Sequence, residues 1–140
     1  MRQIGFAVVG VNNYAGNYLS IIEELESEGK IKLTAVVINN QINNAKKVRE
    51  LRHRGIAIYS SYANLLKEGK ACVDVIGLPV SIPTHAEMAI KGMEAGYNIL
   101  LEKPPAPTVQ EIDAMIKTEK ETGRFCSIGF QFIHSHTIRK

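Results

Sequence analysis

The sequence predicts a doubly wound α/β domain, in which one parallel sheet of about six strands carries helices on both faces. Three observations lead there. Short apolar runs alternate with amphipathic stretches along the whole chain. Glycines close four of the amphipathic stretches, at Gly29, Gly55, Gly96 and Gly123, where a residue free to take a left-handed conformation ends a helix at little cost. A length of 140 residues with 45% hydrophobic side chains is the size of a single domain with one core, so residues 1–140 are expected to fold as one unit.

Each element follows from its own pattern. Ile4–Val9 is a continuous apolar run ended by Gly10, too short for a helix and suited to a strand buried on both faces. From Ala15 to Glu28 the residues Ala15, Tyr18, Leu19, Ile22 and Leu25 recur at spacings of three and four, with glutamates on the other faces, which predicts an amphipathic helix. Ile31–Ile38 reads as a second buried strand, Asn39–Asn44 as a polar turn and Ala45–Arg54 as a second helix. The alternation continues with a short strand at Ala57–Tyr59, a short helix at Tyr62–Lys67, a strand at Val73–Leu78 and a helix at Pro83–Ala95. Asn98–Leu101, Thr108–Thr122 and Phe125–Phe130 complete it as strand, helix and strand. Thr108 with Glu111 three residues on forms a capping-box pattern, and Pro83 suits a first helical turn.

Composition narrows the function classes. Lys and Arg number 17 against 14 Asp and Glu, a net +3 spread along the chain without a basic block, so no nucleic-acid partner is expected. Cys72 and Cys126 lie far apart within apolar runs, with neither zinc-site nor disulfide-scaffold spacing, and are expected to be buried free thiols; no metal site is predicted. No apolar run approaches the roughly 20 residues that span a bilayer, and Met1–Gly5 has no signal-peptide character, so a cytoplasmic protein without a membrane partner is expected.

In a doubly wound sheet, ligands bind beyond the carboxyl ends of the strands, and the turn after the first strand is the usual phosphate cradle. Here that turn reads Gly10-Val11-Asn12-Asn13-Tyr14-Ala15-Gly16. Against G-x-G-x-x-G/A, Gly10 and Ala15 match and Asn12 replaces the middle glycine. Asn12 then either takes a left-handed conformation or shifts the phosphate outward, and its amide is free to donate. The plainer alternative is that Gly10 makes a tight turn while Asn12 or Asn13 caps the first helix. The context of buried strand, turn and amphipathic helix favours a dinucleotide site. Such a site usually carries an acid at the end of the second strand for the adenosine ribose, and here Asn39-Asn40 stand in that place. Neutral amides bond a ribose hydroxyl and do not repel a 2′-phosphate, which leaves NAD and NADP both open; Lys46 and Lys47 are candidate partners of a phosphate, with a solvated helix face as the plainer reading.

After the fifth strand comes Glu102-Lys103-Pro104-Pro105, two charges held beside a rigid turn where they would face the ligand crevice. A surface ion pair is the plain alternative. Together with Leu78-Pro79, His85 a few residues on, Ala95-Gly96 and Gly129-Phe130-Gln131, the pattern resembles the N-terminal Rossmann domain of the glucose-fructose oxidoreductase and inositol dehydrogenase family (Gfo/Idh/MocA) over nearly the whole chain. The resemblance implies NAD(H) or NADP(H) as cofactor and a sugar, cyclitol or similar polyol as substrate. It implies that Lys103 assists proton transfer at the substrate hydroxyl and that Glu102 lies near the nicotinamide ribose. Gly10, Val11, Asn12, Asn13, Tyr14, Asn39, Asn40, Leu78, Pro79, His85 and Gln131 are the remaining expected cofactor contacts, with a helix-surface role as the alternative for His85.

Family members carry a second domain that completes the substrate site and makes the oligomer contact. The expectation is therefore that this chain is the nucleotide-binding half of a longer homo-oligomeric enzyme. His134 and His136, in a short His-Ser-His stretch, are expected to be solvated and not catalytic. Two other readings remain. One is a nucleotide-sensing or purely structural module without chemistry. The other is an acyl-phosphate or semialdehyde reductase, whose first turn is similar to Gly10 through Gly16 but which needs an activated cysteine.

Overall fold

The computed structural model describes residues 2–134, so His136 and the side chain of His134 lie outside the description. Six strands, β1 (Ile4–Val9), β2 (Ile31–Val37), β3 (Ala57–Tyr59), β4 (Val75–Leu78), β5 (Asn98–Leu101) and β6 (Cys126–Ile128), form one parallel sheet in the order β3-β2-β1-β4-β5-β6. Helices α1 (Tyr14–Ser27), α2 (Ala45–His53), α3 (Tyr62–Glu68), α4 (His85–Glu94) and α5 (Val109–Thr122) make the crossovers. The order reverses between β1 and β4, and a crevice opens at such a point beyond the carboxyl ends of the strands.

Two apolar layers hold the sheet. On one side α1 and α2 lay Leu19, Ile22, Val48 and Leu51 against Phe6, Val8, Leu33 and Val36. On the other, Leu65, Ala89, Met93 and Met115 of α3, α4 and α5 pack on Ala7, Ile76, Ile99 and Leu101. The period of two along each strand sends successive residues to opposite layers, as Phe6 and Val8 against Ala7 illustrate. Tyr97 is buried before β5, and its hydroxyl donates to the carbonyls of Leu65 (3.3 Å) and Leu66 (3.2 Å) at the end of α3.

The predicted elements are all present, most of them within one residue of the expected ends, and three differ by two residues at one end. The fourth strand starts at Val75 because the Val73 amide donates to Gly69 O (3.0 Å), within a 3-10 turn at Gly69–Ala71, and so cannot join the ladder. The helix expected from Pro83 begins as a 3-10 turn, Ile82–Thr84, and becomes α-helical only at His85, because the amides of Thr84 and His85 donate three residues back, to Ser81 O and Ile82 O. The last strand is three residues long, because the chain bends back at Phe130 and Gln131, whose amides donate to Ile128 O and Gly129 O. The capping box at Thr108 and Glu111 forms in both directions. Among the described residues no helix is long and apolar enough to cross a membrane, and no three His, Cys, Asp or Glu side chains gather into a metal set.

Candidate active site

The first turn is shaped by backbone that only certain residues tolerate. Gly10 has φ 99°, and its amide donates to Val37 O (2.9 Å), which ties the turn to the end of β2. The positive φ among the asparagines falls on Asn13 (51°) and not on Asn12, because Asn13 is the residue that redirects the chain into α1. Asn13 occupies the helix N-cap without a side-chain cap bond, and the first turn of α1 holds no acid. Its positive end is thus left open to an anion. Asn12 faces the other way, and its side-chain amide donates to Asn44 Oδ1 (3.0 Å) in front of α2. Asn44 in turn donates to Asn40 O (2.8 Å), while Asn40 Oδ1 accepts from the Asn43 amide (3.0 Å).

This asparagine network walls a cleft of about 330 Å³ whose lining includes Gly10, Val11, Asn12, Asn39, Asn40 and Pro79. A second cleft of about 320 Å³, lined by Tyr14, Pro79, Val80, Ile82, His85, Glu102, Lys103 and Gln131, continues from it. Pro79 and Val80 border both, so one crevice runs across the carboxyl ends of the strands from the β2 side to the β5 side. Leu78 is wholly buried in the core, so only Pro79 of that pair faces the crevice.

His85 is not a helix-surface residue. It is 1% exposed at the start of α4, with Nδ1 2.8 Å from Pro104 O and Nε2 3.0 Å from Val80 O. The ring therefore joins the loop after β4 to the Lys103-Pro104 turn after β5, whose peptide bond is cis. Glu102 and Lys103 do not form the alternative surface pair. Glu102 Oε1 accepts from the Tyr18 hydroxyl (2.6 Å), and Lys103 is exposed without an ion-pair partner among the described residues.

Tyr18, Asn44 and Val80 belong to the site and were not among the expected residues. Tyr18 was legible only as one of the apolar positions of the first helix; its sole signal was the choice of a tyrosine, whose hydroxyl needs a partner when buried. Burial, with Glu102 beside it, pushes the Tyr18 phenol well above its ordinary range. Neither cysteine has a nucleophile's surroundings. Burial together with Glu119 pushes the Cys126 thiol up to about 12, and Cys72 Sγ lies 3.6 Å from Gly69 O, beside the 3-10 turn at the far end of β4. Both are free and half-buried.

A parallel sheet with this strand order, a glycine turn at the switch point and a crevice beyond the strand ends define a dinucleotide-binding Rossmann domain. Residues 4–130 match the oxidoreductase family with an NAD-binding Rossmann fold, Gfo/Idh/MocA, and the chain belongs to that family. Among its curated relatives is scyllo-inositol 2-dehydrogenase (NAD(+)) of Bacillus subtilis, 36% identical over 58 residues, which are 41% of this chain and 17% of that protein. Another is glycosyl hydrolase family 109 protein 1 of Bacteroides thetaiotaomicron, 30% identical over 95 residues, 64% of this chain and 20% of the relative. In fold the chain is similar to the WlbA dehydrogenase of Bordetella pertussis, solved with NADH and UDP-GlcNAcA. The TM-score is 0.84 at 22% identity, over 99% of this chain and 40% of that one. The chain thus spans well under half the length of the relatives it matches.

Proposed function

We propose that this domain binds NAD(H) along the whole crevice, with the adenosine half in the cleft at Gly10, Asn12 and Asn39 and the nicotinamide half beside Glu102 and Lys103. The observation that carries the reading is the continuity of the two clefts through Pro79 and Val80, which gives a dinucleotide room for both halves. The open amino end of α1 receives the diphosphate, and Glu102 accepts from the nicotinamide ribose. The cofactor supplies the hydride acceptor or donor. Lys103, unpaired and exposed at the crevice, exchanges the proton at a substrate hydroxyl. His85 and Gln131 act at the same end, His85 by fixing the turn that bears Lys103.

The substrate we infer is a sugar, cyclitol or similar polyol, in keeping with the relatives' names. In the whole protein a second domain completes its site and pairs the subunits into a homo-oligomer, working in the cytoplasm. Titration of this chain with NADH, NADPH and ADP, followed by calorimetry, tests the reading. Saturable binding of the dinucleotides, tighter than that of ADP, is expected. No heat with any of the three up to millimolar concentration would overturn it.

A further inference from the structure

Tyr18 stands apart from the other aromatic residues in that its ring is half-buried while its hydroxyl is aimed at a charged residue of the crevice, 84 positions away in sequence. Two glycines clear the space for this contact. A Cβ at Gly77, on β4, would sit 3.0 Å from both Cδ1 and Cε1 of Tyr18. A Cβ at Gly129, after β6, would sit 3.3 Å from Glu102 Oε1, the oxygen that accepts from Tyr18. The ring is braced on its own helix by Tyr14, with centroids 6.2 Å apart and planes tilted by 60°. Tyr14 in turn lines the cleft that holds Glu102 and Lys103.

We propose that Tyr18 is a positioning residue for the nicotinamide end of the site: it fixes the Glu102 carboxylate by occupying Oε1, so that Oε2 is presented to a hydroxyl of the bound dinucleotide. The proposal rests on the dinucleotide reading above. Oε2 has no donor among the described residues, and a carboxylate accepts only, so the ligand group it takes is an O–H or N–H. A phenol pushed above its ordinary range by burial stays protonated through the neutral and mildly alkaline region, and so remains a donor to Glu102 throughout. A freely rotating carboxylate would lose rotamer freedom on binding; one already held by a 2.6 Å hydrogen bond has lost it beforehand.

The test compares NADH, which reaches Glu102, with ADP, which fills only the cleft at Gly10 and Asn39, on the wild-type chain and on Tyr18→Phe, Glu102→Ala, Gly129→Ala and the Tyr18→Phe/Glu102→Ala double variant. Tyr18→Phe is expected to weaken NADH roughly threefold to tenfold, the cost of ordering one rotamer-rich side chain on binding, and to leave ADP unchanged. Gly129→Ala, which displaces Glu102 without touching the phenol, should give the same NADH-selective loss. The double variant should bind NADH no more weakly than Glu102→Ala alone, because Tyr18 acts through the Glu102 side chain and alanine leaves it nothing to position. Unchanged NADH affinity in Tyr18→Phe, equal losses for NADH and ADP, or additive losses in the double variant would each overturn the positioning role. A wild-type chain that binds neither ligand removes the dinucleotide reading itself, and the proposal with it.

Discussion

Replacing His85 by alanine separates two roles that the sequence left together, ligand contact and support. The ring is 1% exposed, and its nitrogens lie 2.8 Å from Pro104 O and 3.0 Å from Val80 O. A neutral imidazole donates one hydrogen bond and an imidazolium two, so the substitution strips at least one buried carbonyl of its donor, at about 1–3 kcal/mol. It also leaves a hollow where the ring stood, and truncations of comparable size in a core cost about 2–5 kcal/mol. Both costs fall on one ring and its immediate neighbours, which relax together, so they do not add in full and a total of about 3–5 kcal/mol is expected. A chain of 140 residues has roughly 7–20 kcal/mol to lose, so the variant should still fold in water. With a urea dependence of about 2 kcal/mol per M, its unfolding midpoint should drop by about 2 M, read by circular dichroism. NADH affinity, measured well below the new midpoint, should fall as well, because the Lys103-Pro104 turn has lost its tie to the loop after β4. A midpoint within about 0.5 M of wild type, with NADH binding impaired, would refute this reasoning and make His85 a ligand contact instead.

Two further predictions concern the ends of the crevice. Asn39→Asp places a carboxylate at the end of β2, where it accepts from ribose hydroxyls and repels a 2′-phosphate. The ratio of NADH to NADPH affinity should rise on the order of tenfold, and an unchanged ratio in paired titrations would show that the adenosine ribose lies elsewhere. In the whole protein, Lys103→Met should reduce turnover on the order of 10²–10⁴ with little change in NADH affinity, because the lysine meets the substrate and not the dinucleotide; wild-type turnover in steady-state assays would remove it from the chemistry.

The parts of this molecule that the sequence foretells are those whose causes lie within a few residues. The Thr108–Glu111 capping box, the glycine stops of the helices and the apolar runs of β1 and β5 each depend on side chains one turn or one strand apart, and each forms where the local pattern puts it. The Gly10 turn and the Glu102-Lys103 turn belong to the same group, since the ends of buried parallel strands are marked by composition alone and the fold sends them all to one crevice.

What could not be read are the contacts made across crossovers. Asn12 with Asn44, Tyr18 with Glu102 and His85 with Pro104 join residues 32, 84 and 19 positions apart. Their geometry depends on how two loops or a helix and a loop come to rest against each other, which no periodicity encodes. Tyr18 fitted the apolar stripe of α1 as well as a leucine would have, and only the packed structure shows that its ring lies against Gly77 with its hydroxyl on Glu102. The division has a physical cause. Backbone cradles are made by local conformational preference and stay legible, whereas the side chains that hold a charged group in one orientation are supplied from wherever the fold brings a donor. A site of this kind is therefore located by its turns and tuned by its distant partners, and substitutions at the partners should change how well a ligand is held without changing where it binds.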